Sequence, residues 1–379
     1  MTQRPGKTDP PKASGTTAPV APWLWPLTAT QMAVEAWLGW FERSAAVPEP
    51  RAAEALPWTT PNEIALELIT MRLRDFSATD GGQATLICAP YALHSALIAD
   101  FAPGHSLVET LRAEGIGRLY LTDWRSATPD MRFLTIDSYL ADLNVAIDDI
   151  GTPVDLIGLC QGGWLSLVYA ARFPEKVRRL VLVGTPVDVA IESELTRSVA
   201  AAPPGAFEAL VTGGGGLVQG EQLLHLWSRP PEVEAALQRN LSPDEPGDRL
   251  LRERFERWHA ATLDLPGTFY LEAVTWIFRD NRLPAGLWTA LGREIHLGEV
   301  RTPVFLLIGA SDEIVPAEQA MATAAHVGTP RAFIGAEIVP SGHLGLFIGR
   351  RTLAGAWRRV ARWLRDDLPR QRPRDVASI

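Results

Sequence analysis

The chain has 379 residues, 46% hydrophobic and 21% charged, which excludes wholesale disorder and allows one large core or two to three domains. Its formal net charge of −8 argues against a nucleic-acid-binding protein, whose affinity rests on neutralising phosphates. No apolar run reaches the roughly 18 residues a membrane span needs, the N-terminus lacks an apolar signal core, and two cysteines, Cys88 and Cys160, cannot form a disulfide framework, so a cytoplasmic protein is expected.

Residues 1–22, rich in Pro, Thr, Ser and Lys, read as a disordered tail. Residues 23–67 read as an N-terminal helical segment and linker. Within them 28–45 is an amphipathic helix that carries Met32, Trp37, Trp40 and Phe41 on one side and starts at Thr28 or Thr30. That face either packs on the main domain or binds a partner or a particle surface. Pro48, Pro50, Pro57 and Pro61 mark the linker.

From residue 68 the pattern alternates. Strands are expected at 68–77, 84–90, 117–124, 153–160 and 177–188, with helices at 106–115, 138–151 and 164–175 between them. This alternation implies an α/β fold, a mostly parallel sheet with helices on both faces, whose first part spans 68–189. Residues 190–290 hold helical stretches and few strand signals and read as an inserted, mainly helical cap. The core returns over 291–368, with strands within 300–316 and 331–343 and a helix over 353–368. A polar tail, 369–379, closes the chain.

The chemistry centres on Gly158-Leu159-Cys160-Gln161-Gly162, between a strand and a helix. This is the spacing of a nucleophile elbow with Cys in place of Ser, the glycines being needed where the turn is too tight for side chains. The following helix presents N–H groups to the site, which favours a thiolate and an oxyanion. Asp312 and His343 each follow a later strand, in the chain order such folds require, and so belong at the same sheet edge. His343 would take the thiol proton and Asp312 would orient the imidazole. Asp123, Asp155 and Asp188 are rivals placed better for structural roles, and His225, His259 and His296 read as cap or surface residues. The backbone N–H of Gln161 and one near Leu93, in the loop Pro90-Tyr91-Ala92-Leu93-His94, are the candidate oxyanion hole. His94 and Trp164 are candidate substrate contacts, Trp164 being equally a candidate for the helix–sheet core. Cys88 reads as buried and inert. No His/Cys cluster has metal-ligand spacing, and Gly213–Gly216 lacks the Lys-Ser/Thr of a phosphate loop.

With these residues the chain resembles the polyhydroxyalkanoate synthases, cysteine-dependent polyester polymerases of the α/β-hydrolase fold. Gly158–Gly163 is similar to their G-x-C-x-G-G box. Phe173-Pro174-Glu175-Lys176-Val177, Thr185-Pro186-Val187-Asp188, Thr122-Asp123-Trp124, Trp258, Leu265-Pro266-Gly267, Asn281-Arg282-Leu283 and Ser341-Gly342-His343-Leu344-Gly345 follow the same pattern. The resemblance covers roughly residues 80–365, and the short N-terminal part looks like the two-subunit synthases. Three departures touch the site: Glu313 stands where the family has His, Trp164 where it has a small residue or Thr, and Pro90–His94 where it has Pro-Pro-x-x-Asn. The resemblance implies polymerisation of 3-hydroxyacyl-CoA through a Cys160 thioester, with CoA released and no cofactor beyond that substrate. It also implies a second synthase subunit or a homodimer, and a place at the surface of polyester granules. A cysteine-dependent hydrolase, a thioesterase or an intracellular depolymerase, needs the same triad and differs in admitting water.

Overall fold

Short runs of aliphatic residues buried on both faces form the strands of one sheet. The fold is seen in a computed structural model that describes residues 56–226 and 248–366. The expected tails 1–22 and 369–379 and the amphipathic helix 28–45 lie outside those residues. Eight strands build the sheet: β1 (Glu63–Glu67), β2 (Met71–Asp75), β3 (Ala84–Cys88), β4 (Arg118–Trp124), β5 (Val154–Leu159), β6 (Val177–Val183), β7 (Val304–Gly309) and β8 (Ile334–Val339). Their order is β1-β2-β4-β3-β5-β6-β7-β8. From β4 to β8 every neighbouring pair is parallel, and only β2 runs antiparallel to both of its neighbours. All residues of β3, β5 and β7 are buried, as a sheet covered on both faces demands. Across its centre Leu86, Leu156, Leu180 and Val304 form one in-register row, each 0% exposed. Full burial of one such side chain stabilises the fold by about 1.5–3 kcal/mol.

The sheet starts earlier than the boundary expected at residue 68. The run 68–77 is a hairpin turn and β2, and β1 lies in what reads as linker. β1 is an exposed edge strand, so its Glu-Ile-Ala-Leu-Glu run lacks the alternation of a half-buried strand, and the preceding prolines mask it.

Among the described residues, ten α-helices of seven or more residues follow in chain order: α1 (Leu107–Ala113), α2 (Ile136–Ile150), α3 (Gln161–Arg172), α4 (Glu194–Ala201), α5 (Ala206–Gly213), α6 (Gly220–Leu226), α7 (Asp248–Ala260), α8 (Gly267–Ala273), α9 (Ala317–His326) and α10 (Arg358–Arg365). α2 starts on a reciprocal Thr135–Ser138 capping box. The expected strand 177–188 ends at Val183, and the helix 353–368 is a π-helical turn over Leu353–Trp357 followed by α10. Helix α9 was not among the expected elements, because its small residues give little helical periodicity; Pro316 sits at its N-cap. The stretch expected to form the cap, 190–290, holds α4 to α8, α8 running on into a π-helical turn over Val274–Arg279, and the short strand pair Leu217–Val218 with Leu265–Pro266. Among the described residues no helix is long and apolar enough to cross a membrane.

Because β3, β5, β7 and β8 are parallel, the loops that follow them emerge at one edge. That edge carries Ala89–Ser95, Cys160, Asp312 and His343.

Candidate active site

Cys160 stands between the end of β5 and the first residue of α3, at φ 48° and ψ −112°. A non-glycine residue held there costs about 1–3 kcal/mol, which the surroundings must offset. They do so in part through its N–H, which donates to Val183 O at 2.9 Å, and its carbonyl, which accepts from Gly163 N at 2.9 Å. The flanking glycines are steric necessities. A Cβ on Gly158 would lie 2.5 Å from Gly163 Cα, and one on Gly162 would lie 2.1 Å from Cys88 O. The N–H of Gln161, first in α3, is one of those a helix leaves without an internal acceptor.

Behind Cys160 stand His343 and Asp312. Their Nδ1 and Oδ2 lie 2.8 Å apart, with side chains 4% and 0% exposed. A carboxylate only accepts, so Nδ1 carries the hydrogen and Nε2 is left for the hydrogen bond His343 makes with Cys160. Asp312 Oδ1 accepts from the N–H groups of Ile314 and Val315, both at 2.9 Å. Burial opposes the charged form of each group and is outweighed in both. The Asp312 charge, then that of Cys160, holds His343 well above its ordinary value. The imidazole, then those two N–H groups, holds the Asp312 carboxyl below the ordinary carboxylate value.

Two residues not singled out as catalytic candidates support this pair. Gly184, at φ +51°, lies under it, and a Cβ there would come 3.1 Å from His343 Cε1 and 3.3 Å from Asp312 Oδ2. Glu313 Oε2 accepts the His343 backbone N–H at 3.1 Å and so ties the β8 loop to the β7 loop. Neither contact has a local signature, since each joins segments far apart in the chain. The rival aspartates are engaged elsewhere: Asp123 with Arg74, Asp155 with Arg178, and Asp188 with Asn281 and His326.

Cys160, Gln161, Leu93 and His94 line one cavity of about 470 Å³, roofed by cap residues such as Phe207 and Tyr270 and otherwise largely apolar. His343 and Glu313 reach it as well, whereas Asp312 is not among its lining residues. Leu93 lines the cavity, and its carbonyl accepts from Leu263 N at 2.8 Å. Trp164, a candidate for either a substrate contact or the core, does not line this cavity. It is 1% exposed, its ring packs between Phe269 and Trp288, and its Nε1 donates to Gln161 Oε1, so it stands one layer behind the wall that Phe269 forms. A large apolar ring gains more from that packing than from a place in the lining. Cys88 is 0% exposed, and burial pushes its thiol up to about 12. Among the described residues no three His, Cys, Asp or Glu side chains are grouped to hold a metal.

Residues 115–349 match the family described as alpha/beta hydrolase fold. The chain is similar to a poly(3-hydroxyalkanoate) polymerase subunit PhaC of Synechocystis, 28% identical over 70% of this chain and 74% of that one. It is also similar to a subunit of the same name from Haloferax mediterranei, 26% identical over 80% of this chain and 63% of that one. Among solved structures, a monoacylglycerol lipase of Paleococcus ferrophilus superposes with a TM-score of 0.51 at 16% identity, covering 78% of this chain and 98% of that one, a likeness of fold.

Proposed function

This chain belongs to the α/β hydrolase fold family, and from that premise we propose that it is an acyltransferase that polymerises 3-hydroxyacyl-CoA through a thioester on Cys160. The observation that carries the reading is the line Asp312–His343–Cys160 opening into an apolar cavity of about 470 Å³. The similarity to polymerase subunits supplies the substrate class.

His343 takes the proton of the Cys160 thiol, and the thiolate attacks the acyl carbonyl of the CoA thioester. The oxyanion is held by the Gln161 N–H and by one from the loop after β3. Collapse breaks the carbon–sulfur bond to CoA, which leaves with the proton from His343. One thioester replaces another, so the step is nearly energy-neutral. The hydroxyl of the next unit then attacks the Cys160 thioester and gives up its proton to His343, the sulfur of Cys160 leaving and regaining a proton. The chain, longer by one ester and ending in CoA, returns to Cys160 with loss of CoA. His343 is the better base for the hydroxyl, because it reaches the cavity while Asp312 has its oxygens engaged by His343, Ile314 and Val315. The apolar roof disfavours water, which would divert the thioester to free acid. His343, once charged, remains paired with Asp312 throughout.

The test is product analysis of the full-length protein with 3-hydroxybutyryl-CoA, following free thiol and the acyl product by gas chromatography. Polymer with CoA release supports the reading. Free 3-hydroxy acid with CoA release establishes the thioesterase instead. Neither CoA release nor acylated Cys160 in the mass spectrum overturns both.

A further inference from the structure

The loop after β3 is held from two sides. At its start the Ala89 N–H donates to Thr122 Oγ1 at 2.9 Å, and Ala89 O accepts from Trp124 Nε1 at 2.8 Å, so β4 fixes that end. Its far end lies against cap segment 258–264. His94 bridges Thr262 in antiparallel fashion, and Leu93 O accepts from Leu263 N at 2.8 Å. The His94 ring stacks on Trp258, centroids 4.4 Å apart at 28°, and its Nε2 lies 2.9 Å from His259 O. A carbonyl only accepts, so Nε2 carries a hydrogen. Trp258 Nε1 donates to Ser95 O at 3.4 Å, and the Tyr91 hydroxyl donates to Asp264 O at 3.2 Å.

The cap segment is itself anchored: Trp258 is 3% exposed and packs edge-on against Phe101, and Asp264 Oδ1 accepts from Gly220 N at 2.9 Å. In a trans peptide the carbonyl and the N–H point in opposite directions. With the Leu93 carbonyl committed to Leu263, the N–H of the same peptide, that of His94, points away from the cap segment. The cap segment therefore sets the direction of the His94 N–H, in a loop that lines the same cavity as Cys160.

We propose that cap segment 258–264 positions the oxyanion loop, and that His94, clasped to Trp258 and the His259 carbonyl, is the positioning residue through which it does so. The proposal rests on the reading of Cys160 as the residue that is acylated. It predicts that acylation of Cys160, which passes through an oxyanion, depends on the clasp, whereas alkylation of the same sulfur does not.

The full-length protein is acylated with p-nitrophenyl butyrate, where the thiolate attacks the ester carbonyl and p-nitrophenolate leaves. In parallel it is alkylated with iodoacetamide, where iodide leaves and no oxyanion forms. His94→Ala is expected to lower the saturating rate of the p-nitrophenolate burst by about 10–100-fold. The alkylation rate of Cys160, in which no oxyanion forms, should stay within about threefold of wild type. His94→Phe keeps the stacking and loses the donor, and should show a smaller loss of the same kind. Equal falls in acylation and alkylation, or unchanged acylation in both variants, would overturn the proposal. If His94→Ala does not unfold cooperatively on heating, His94→Phe decides alone. A wild-type protein that is alkylated at Cys160 yet is acylated neither by the ester nor by 3-hydroxybutyryl-CoA overturns the acyl-transfer reading and the clasp with it. A wild-type protein that is acylated, with variants that match it, removes the clasp only.

Discussion

At the scale of single residues, two sulfurs and one carboxylate separate chemistry from packing. Cys88 ends β3 and Cys160 follows the adjacent strand β5, yet burial pushes the Cys88 thiol up to about 12, while Cys160 faces a cavity and a histidine. Iodoacetamide at neutral pH should therefore modify Cys160 first, read by peptide mapping. Cys160→Ala should lower CoA release by at least about a thousandfold, as for loss of a nucleophile that acts as one unit with its base. Early labelling of Cys88, with activity kept in the variant, would remove Cys160 from its role. Asp312 makes a prediction about pH. Its carboxyl is held low in the fold, so its charged form contributes stability above the unfolded value of about 3.9, and that contribution is lost as pH falls below it. His343 has the opposite sign: its raised affinity for a proton contributes below about 6.5 and is lost as pH rises through its folded value. Urea midpoints at pH 5 and pH 3 should accordingly fall less steeply for Asp312→Asn than for wild type. Parallel falls would mean that the low carboxyl contributes nothing.

At the scale of elements, the cap is joined to the sheet by its two stalks. Asn281, at φ 49°, accepts from Val189 N at 3.0 Å and donates to Asp188 Oδ1 at 2.9 Å, and His326 Nε2 lies 2.9 Å from Asp188 Oδ2. The segments Thr185–Asp188 and Asn281–Leu283, apart in sequence, thus meet at the base of the cap. Asn281→Ala removes both hydrogen bonds and leaves Ala in a left-handed conformation, which should cost about 2–4 kcal/mol. Asn281→Gly should recover the conformational part only. Amide hydrogen exchange in α4 and α5 should speed up in both; exchange unchanged from wild type would show that the stalks are held by other contacts. Trp164 joins α3 to the cap through Phe269 and Trp288. Trp164→Ala should lose about 3–5 kcal/mol by urea unfolding, with acyl-length preference unchanged. A shifted preference in a protein of wild-type stability would return Trp164 to the lining.

At the scale of the whole molecule, the relatives are named as polymerase subunits; for this chain, association with a second subunit or a second copy of itself is a proposal with a direct test. Specific CoA release should then rise with protein concentration across the range where sedimentation shows association, or on addition of a partner subunit. Constant specific activity over that range, in a protein that stays monomeric, would dispose of the idea. Much of the fold was legible because strand and helix periodicities are local: β3 to β6 and α1 to α3 each lie within a few residues of the expected ranges. The box around Cys160 was legible because the glycines it needs are neighbours in the chain, and Asp312 and His343 because parallel strands deliver their following loops to one edge. β1 and α9 were not, since an exposed edge strand and an alanine-rich helix carry weak patterns. What the sequence alone determined is thus the order of strands, helices and reactive groups along the chain. Only the tertiary structure decided that Trp164 stands behind the cavity wall, that Glu313 and Gly184 brace His343, and that the cap grips the loop beside Cys160. Each of these is a contact between segments distant in sequence, chosen by packing and hydrogen-bond satisfaction across the folded core.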